Sequence, residues 1–437
     1  MSVSAGTRLA MLGGTPAVPK EARRVAWPVV GAPEREAVLA VLDSGRFTST
    51  SPVETEVDRL EAEWARFVGV PHCAAVSSGT AALALALGAA GVEPGAEVLV
   101  PALTFAGTAL AALHVLAVPV FVDVDARTFT MDVERAAEAI TGRTQTILPV
   151  HLHGLPADMA GLRGLARRRG LTLVEDAAQS HGATFEGVQT GALGDAAAFS
   201  LNASKNLPTC GEGGLLTTAD SALHERAVAM RQFGERIERG GERDYRHERL
   251  GWNHKLSGVQ AAFTRAQLRR LPGEHAGRDA RVRAFLAALA GLPGIVPPAV
   301  PAARTHAWHM IRLRLDAAAA GLEGVGAAGF RQAVQRALRA EGVAVSRYQS
   351  LPVPEQEVFR RREGFGGGLP WTLGTAGAPA PDRDRFPVTT RVLDDSLTIQ
   401  RVHLPAAGDT LLPLYAGAFH KVWANLDVLA SVARRRP

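Results

Sequence analysis

Of the 48 Lys and Arg residues in this chain only four are lysine, namely Lys20, Lys205, Lys255 and Lys421, and the other 44 are arginine. With abundant Ala, Gly and Pro, this composition resembles a GC-rich coding bias. Under that bias a retained lysine marks a place that arginine cannot serve. Arginine stays protonated and forms no imine, whereas a lysine amine can lose its proton and attack a carbonyl. Lys205 has the most telling setting. In AAAFSLNASKNLPTCGEGG it follows an apolar strand and precedes a Gly-rich turn. Upstream, LTLVEDAAQSHG ends a second apolar strand in Glu175 and Asp176. A carboxylate at the end of a central strand lies where open α/β sheets bind ligands. Earlier still, Ser77-Ser78-Gly79-Thr80 turns a strand into a helix. The free N–H groups of a helix start, together with hydroxyls, suit a phosphate.

Taken singly, each feature has a plainer account: a solvated lysine, a loop or N-cap carboxylate, a capped helix. Their order says more. A phosphate turn, an aromatic residue (Phe105), an acid (Asp176) and a lysine (Lys205) follow one another on successive strand ends. These are the parts that pyridoxal 5′-phosphate (PLP) requires. The acid keeps the pyridine nitrogen protonated, which makes the ring an electron sink, and the lysine forms the Schiff base.

The positioning elements are legible as alternation. Helices are expected from about Pro33 to Leu42 and from Val53 to Phe67. CAAVSS, EVLVPALTF, VPVFVDVD, QTILPVHL, LTLVEDAA, AAAFSL and GGLLTTA read as strands. TAALALALGAAG, a segment capped by Asp132 and running to Ala139, and DMAGLRGLARRRG ended by Gly170 read as helices. Near-continuous apolar strands separated by helices argue a parallel or mixed sheet covered on both faces. Beyond residue 225 the pattern turns helical in LSGVQAAFTRAQLRRL, and LPGIVPPAVPAARTH marks passage to a smaller α+β unit. That unit contains strand HMIRLRL, helix GFRQAVQRALRAEG and a last helix within YAGAFHKVWANLDVLASVARR. Residues 362–387 read as a flexible loop or lid. The expected division is an N-terminal extension at 1–30, a large domain at 31–270 and a small domain at 271–437.

Composition narrows the function classes. The chain has 437 residues, 47% apolar and 21% charged, which suits two soluble domains. No apolar run is long enough to span a bilayer, no secretory h-region is evident, and a cytoplasmic location is expected. Cys73 and Cys210 give no disulfide framework, and Cys210 reads as a small buried residue. His151 and His153 in PVHLHG lie two apart on an expected strand and so on one face, but no metal site is assigned. The net charge of +5 comes from dispersed arginines without a nucleic-acid motif.

At this point a resemblance enters. SSGTAALALAL, VPALTFAGTA, FVDVDARTFTMD, LPVHLHGLPADM, VEDAAQSHGA, FSLNASKNLPTCGEGG and LGWNHKLSGVQAAFTRAQL together resemble the DegT/StrS family of sugar aminotransferases. The resemblance runs from GGTPAVP to AFHKVWANLDVL, nearly the whole chain. It implies fold type I of the PLP-dependent transferases: a large domain with a mostly parallel seven-stranded sheet, plus a smaller α+β C-terminal domain. It also implies Lys205 as the Schiff-base lysine, Asp176 at the pyridinium nitrogen, Gln179 near the ring 3′-oxygen and Phe105 stacked on the ring. Ser78, Gly79, Thr80 and Ser200 would hold the phosphate. Asn253 would reach the cofactor of the other subunit in a homodimer. The activity implied is transfer of an amino group from glutamate or glutamine to a keto sugar, nucleotide-linked, or to a keto cyclitol, in secondary-metabolite biosynthesis. The alternatives are a PLP-dependent deoxysugar dehydratase, an aminohydroxybenzoate-synthase-like enzyme, and a non-catalytic PLP-binding regulator. Dehydrating members of the family carry histidine in place of the lysine. The chain departs from the family where Asn-Tyr-Arg becomes Asn253-His254-Lys255, where HLYG becomes HLHG, and in the loosely matching RYQSLPVPEQEVF.

Overall fold

The computed structural model describes residues 8–51, 53–237, 243–373, 383–400, 404 and 411–434. After α1 (Ala32–Ser44) and α2 (Glu56–Val68) the chain lays down the alternation expected from sequence. In order come β1 (His72–Val76), α3 (Gly79–Ala89), β2 (Glu97–Pro101), α4 (Gly107–His114), β3 (Val118–Val122), α5 (Val133–Ala139), β4 (Thr144–Ile147), α6 (Met159–Arg169) and β5 (Thr172–Asp176). A small hairpin, β6 (Thr184–Phe185) and β7 (Val188–Gln189), leads to β8 (Ala196–Ser200), β9 (Gly214–Thr218) and α7 (Ser221–Arg231).

Seven strands form one sheet in the order β1-β9-β8-β5-β4-β2-β3. β8, β5, β4, β2 and β3 run parallel, and β9 lies antiparallel to both β8 and β1. The sheet is buried on both faces, which is why α3 is apolar all round and its strands show no polar alternation. Two strands are shorter than EVLVPALTF and QTILPVHL suggested. Pro101 closes β2, and Pro149 stands two residues beyond the end of β4; proline donates nothing to a ladder. His151 and His153 do not share a strand face. They lie in a turn in which His153 adopts φ 60°.

The second core is built on β10 (Ile295–Val296), β11 (Met310–Leu315), β12 (Val345–Ser346) and β13 (Ser396–Gln400), ordered β10-β11-β13-β12 and fully antiparallel. It follows α8 (Gly258–Leu268) and the long α9 (Leu271–Leu289), whose Val282, Phe285 and Leu289 already belong to that core. α10 (Ala327–Ala340), α11 (Glu357–Arg361), α12 (Pro387–Asp395), α13 (Leu411–Trp423) and α14 (Leu426–Arg434) complete the chain. The single last helix expected from sequence is two. Asn425 donates through Nδ2 to the Lys421 carbonyl (2.9 Å), and such back-bonding competes with continued helix. Leu9 and Val18, in the segment read as an irregular extension, are fully buried in this second core. Cys210 is exposed, contrary to its reading as a buried filler. Of the expected loop at 362–387, residues 374–382 lie outside the described residues, and the rest includes a short helical turn at Trp371–Leu373.

A buried carboxylate joins the two units. Asp123, just after β3, accepts from Val388 N, Thr389 N (both 2.9 Å) and Thr389 Oγ1 (2.6 Å) at the N-terminus of α12. Phe386, the residue that should cap α12, offers no side-chain acceptor. Beside this contact Val392 and Leu393 of α12 pack with Leu103, Val124, Phe129 and Leu152 of the first unit.

Candidate active site

The carboxyl ends of β1, β2, β5 and β8 open on one cavity of about 300 Å³. At β1, Ser78 caps α3, its Oγ accepting from Ala81 N (3.1 Å), and the first intrahelical bond runs from Ala82 N to Ser78 O (3.0 Å). The N–H groups of Gly79 and Thr80 therefore precede the helical ladder and remain available to a ligand. Gly79 is required by packing: a Cβ there would stand 2.8 Å from Ser200 Cβ, at the end of β8. Gly214 of β9 lies equally close beneath the turn, where a Cβ would meet Ser78 O at 2.4 Å.

β5 delivers Glu175 and Asp176 to opposite faces, as successive strand residues must be. Asp176 turns to the cavity. Its Oδ2 accepts from Thr108 Oγ1 (2.7 Å) and its Oδ1 from Ala178 N (3.1 Å). Thr108 lies 2.9 Å from Thr104 Oγ1. Thr108 has one proton and spends it on Asp176, so Thr104 donates in that pair. Burial holds the Asp176 carboxyl above the usual carboxylate range, against the opposing pull of these donors and of Lys205. Glu175 turns away and is fully occupied. It accepts from Gly191 N, Leu193 N and Gly194 N (2.7–2.9 Å) and from His151 Nε2 (2.8 Å). His151 Nδ1 accepts from Ala157 N (3.0 Å), so the imidazole is neutral with its proton on Nε2.

Lys205 reaches the cavity from the turn beyond β8. Burial pushes its ammonium pKa down, and Asp176 and then Glu212 oppose that shift. A partly desolvated amine of this kind can be neutral when a carbonyl arrives. Gln179 Oε1 accepts from His153 N (2.7 Å), which fixes the amide and leaves its NH₂ for another acceptor. Phe105 presents its ring to the opening and is 62% exposed.

The structure thus brings together Ser78, Gly79, Thr80, Phe105, Asp176, Gln179, Ser200 and Lys205. It does not bring Asn253 to this cavity. Asn253 is exposed, and its Oδ1 accepts from Lys255 Nζ (2.6 Å), which also stacks over Phe233. The sequence reading missed Thr104, Thr108, Asn202, Glu212 and Tyr348, all on the cavity wall. Of these threonines, Thr104 lies in the bend after β2 and Thr108 in the first turn of α4, with Phe105 between them. Nothing local marks Tyr348, which arrives from the second unit. A larger hollow of about 600 Å³ lies between the β3–α5 loop and residues 299–304. Its carboxylates Asp125, Asp132 and Asp158 are already engaged with N–H groups of their own turns.

PLP fits the smaller cavity on these grounds. An anion has Gly79 N–H, Thr80 N–H and two serine hydroxyls. A pyridinium has a buried acid with lone pairs to spare, and a carbonyl has an amine.

Comparison with known proteins agrees. Residues 28–372 match the model of the DegT/DnrJ/EryC1/StrS aminotransferase family. The chain is 39% identical over 332 residues to UDP-N-acetyl-3-dehydro-alpha-D-glucosamine 3-aminotransferase of Acidithiobacillus ferrooxidans, covering 75% of this chain and 84% of the relative. It is 37% identical over 414 residues to L-glutamine:2-deoxy-scyllo-inosose aminotransferase of Streptomyces lividus, covering 91% and 93%. The crystal structure of DesV from S. venezuelae, in complex with a ketimine intermediate, superposes with a TM-score of 0.77 at 33% identity over 90% of this chain and 94% of DesV.

Proposed function

The chain belongs to the DegT/DnrJ/EryC1/StrS aminotransferase family, and we propose that it transfers an amino group from glutamate or glutamine to a keto sugar or keto cyclitol, with PLP as cofactor. The observation that carries the reading is the convergence of Lys205, Asp176 and the open N-terminus of α3 on one cavity. The names of the relatives, one acting on a UDP-linked sugar and one on an inosose, support both acceptor classes.

Bound there, PLP supplies the electron sink through which an amino group passes between donor and acceptor. The protein supplies the rest. Gly79 and Thr80 N–H, with Ser78 and Ser200, bind the phosphate at the positive end of α3. Asp176 would hold the proton at the ring nitrogen. Phe105 would cover one face of the ring, and the Gln179 amide would donate toward its 3′-oxygen. Lys205 Nζ would serve as the base that takes a proton from the substrate carbon bearing the amine.

Asn253 points at no group of its own cavity, which supports a role across a homodimer interface. The exposed Leu250 (77%) and Phe233 (43%), on the segments that flank Asn253, support the same arrangement. In this reading 31–270 is the cofactor-binding domain and 271–437 the smaller one. Among the described residues no helix is long and apolar enough to cross a membrane, and two unpaired cysteines suit a reducing cytoplasm.

The test is a pair of half-reactions. Glutamate or glutamine alone should bleach the visible band of the purified protein and release its 2-oxo acid stoichiometrically. A keto acceptor drawn from a panel of sugar nucleotides and inososes should restore the band. Borohydride should fix the cofactor to Lys205. A protein that binds PLP yet responds to no amino donor, alanine and aspartate included, is not an aminotransferase, and the dehydratase or regulatory reading would then take its place.

A further inference from the structure

β11 carries two arginines, Arg312 and Arg314, on the same face of one strand. Their surroundings differ in kind. Arg314 is held by Asp395 through both Nε and Nη2. Arg312 is only 2% exposed and has no carboxylate in ion-pair reach among the described residues. Its Nη1 donates to Ser396 Oγ (2.7 Å), its Nη2 to Gln349 Oε1 (3.2 Å), and its Nε has no acceptor among the described residues. Burial pulls its pKa to about 10, so it still carries its charge at neutral pH. A buried cation met only by neutral dipoles is expensive, and its remaining donors are those that match an anion.

Its place relates it to the reaction site. Gln349 bridges the two units, its Nε2 donating to the carbonyl of Thr104 on the cavity wall. Tyr348, the preceding residue, lines the same cavity and feels the charges of both Arg312 and Asp176. On the other side stands the ring of Phe129, 6.0 Å from the guanidinium carbon. Arg312 therefore lies one side chain behind the wall that faces Lys205.

We propose that Arg312 is the anchor for the carboxylate of the amino-acid donor, which displaces Gln349 Oε1 from the guanidinium; this rests on the aminotransferase reading above. The chemistry of the donor selects the ligand. In an amino acid the carboxylate is bonded to the same carbon as the amine that exchanges with Lys205, so it must arrive beside the lysine. The diphosphate of a sugar nucleotide is many bonds from its ketone and belongs at the cavity mouth. Gln349 is the natural group to yield, because its contact is the longer of the two and its amide keeps Thr104 when the other end is released.

The experiment pairs a protein change with a ligand change. Arg312→Met preserves the side-chain bulk without the charge, and Arg312→Lys keeps the charge without the fork. Glutarate and UDP are titrated calorimetrically into wild type and both variants, with PLP content and melting temperature as controls for folding. Glutarate binding should fall by about 100-fold in Arg312→Met and less in Arg312→Lys, while UDP binding stays unchanged. In the donor half-reaction, wild type should prefer glutamine over its α-carboxamide by a similar factor, and Arg312→Met should lose that preference through KM. If Arg312→Met fails to fold, Arg312→Lys carries the test. Glutarate binding equal to wild type in a folded variant, an unchanged preference for the carboxylate, or loss of UDP binding instead, would each overturn the assignment. If wild type itself takes an amine from no amino acid, the failure lies with the aminotransferase reading and not with Arg312.

Discussion

Asp123→Asn tests whether one side chain fastens the second unit to the wall of the active site. The wild-type carboxylate caps α12 from a distant segment, with Val124 N (2.9 Å) as a further donor alongside Val388 N, Thr389 N and Thr389 Oγ1. Three of the four donors converge on Oδ1 and one on Oδ2. Asparagine can keep its carbonyl oxygen at the crowded position, but its NH₂ then faces Val388 N–H, donor against donor. One orphaned N–H costs about 1–3 kcal/mol, and removing a charge from a buried helix N-terminus costs about 1 kcal/mol more. The expected loss is therefore about 2–4 kcal/mol, a large share of a typical stability of about 5–15 kcal/mol. Thr389→Val removes one donor and leaves the other three in place, so it should cost about 1 kcal/mol, and the double variant should cost less than the sum. Urea unfolding is followed by circular dichroism and by tryptophan fluorescence. Trp64 reports the first unit, and Trp308 and Trp423 report the second. Asp123→Asn should lower the midpoint and separate the two signals as the units uncouple. Coincident transitions with a loss below about 0.5 kcal/mol would show that the cap is redundant and that apolar packing alone holds the joint.

Gly79→Ala places a methyl 2.8 Å from Ser200 Cβ, so the phosphate turn must open. PLP affinity measured by equilibrium dialysis should fall by about 1–3 kcal/mol, and unchanged affinity would refute the close packing. Thr108→Val removes the hydroxyl that favours the ionised form of Asp176, so the inflection in PLP binding against pH should move to higher pH; an inflection that stays put would show that the threonine is idle. Glu175→Gln should cost about 2–4 kcal/mol of stability, because its NH₂ would oppose backbone N–H groups, with little direct effect on the cofactor. Asp176→Asn should do the reverse. Its folded carboxyl is raised above the usual value, so cofactor-free wild type is steadied below the ordinary Asp range and loses that stability as pH rises through the raised value. The variant escapes this loss, and its thermal advantage should therefore grow with pH while PLP binding collapses; a melting difference that shrinks with pH would contradict the assignment.

Much of this was legible because the signals were local. The Asp132 cap of α5, the Gly170 stop of α6 and the strand-turn-helix at Ser78 each depend on a few neighbouring residues, and each lies where the sequence put it. Lysine scarcity pointed to Lys205, but it was a blunt signal. Lys421 is retained for a structural reason, since its Nζ donates to Thr15 O and Glu341 Oε2 at 2.6 and 2.8 Å in a nearly closed niche. What escaped is what tertiary contact creates. Tyr348 comes to the cavity from the segment after β12 in the second unit, Arg312 stands behind the cavity wall on β11, and Asp123 caps a helix far along the chain. Leu9 and Val18 are core residues in a segment with no period. The expectation that His151 and His153 share a face failed because the chain leaves its pairing with β5 after His151 and turns at Leu152–Gly154, with His153 at φ 60°.

The pair Glu175-Asp176 shows how a strand assigns two similar acids to two tasks. Both are buried, and composition cannot rank them. The β pleat sends them to opposite faces, and the number of donors on each face then decides what each can do. Glu175 meets three backbone N–H groups of the 191–194 turn and a neutral histidine whose other nitrogen is already taken. Four donors saturate the four lone-pair sites of a carboxylate, so this acid has nothing left for a ligand and serves to hold the turn beneath β8. Asp176 meets a threonine hydroxyl and one N–H, with Lys205 across the cavity. It keeps unspent acceptor capacity in a dry site, and such capacity is satisfied by a cation that brings its own proton. A pyridinium nitrogen is that kind of cation. Its arrival would relieve the strain that burial places on Asp176 and would fix the ring over Lys205 by the same contact.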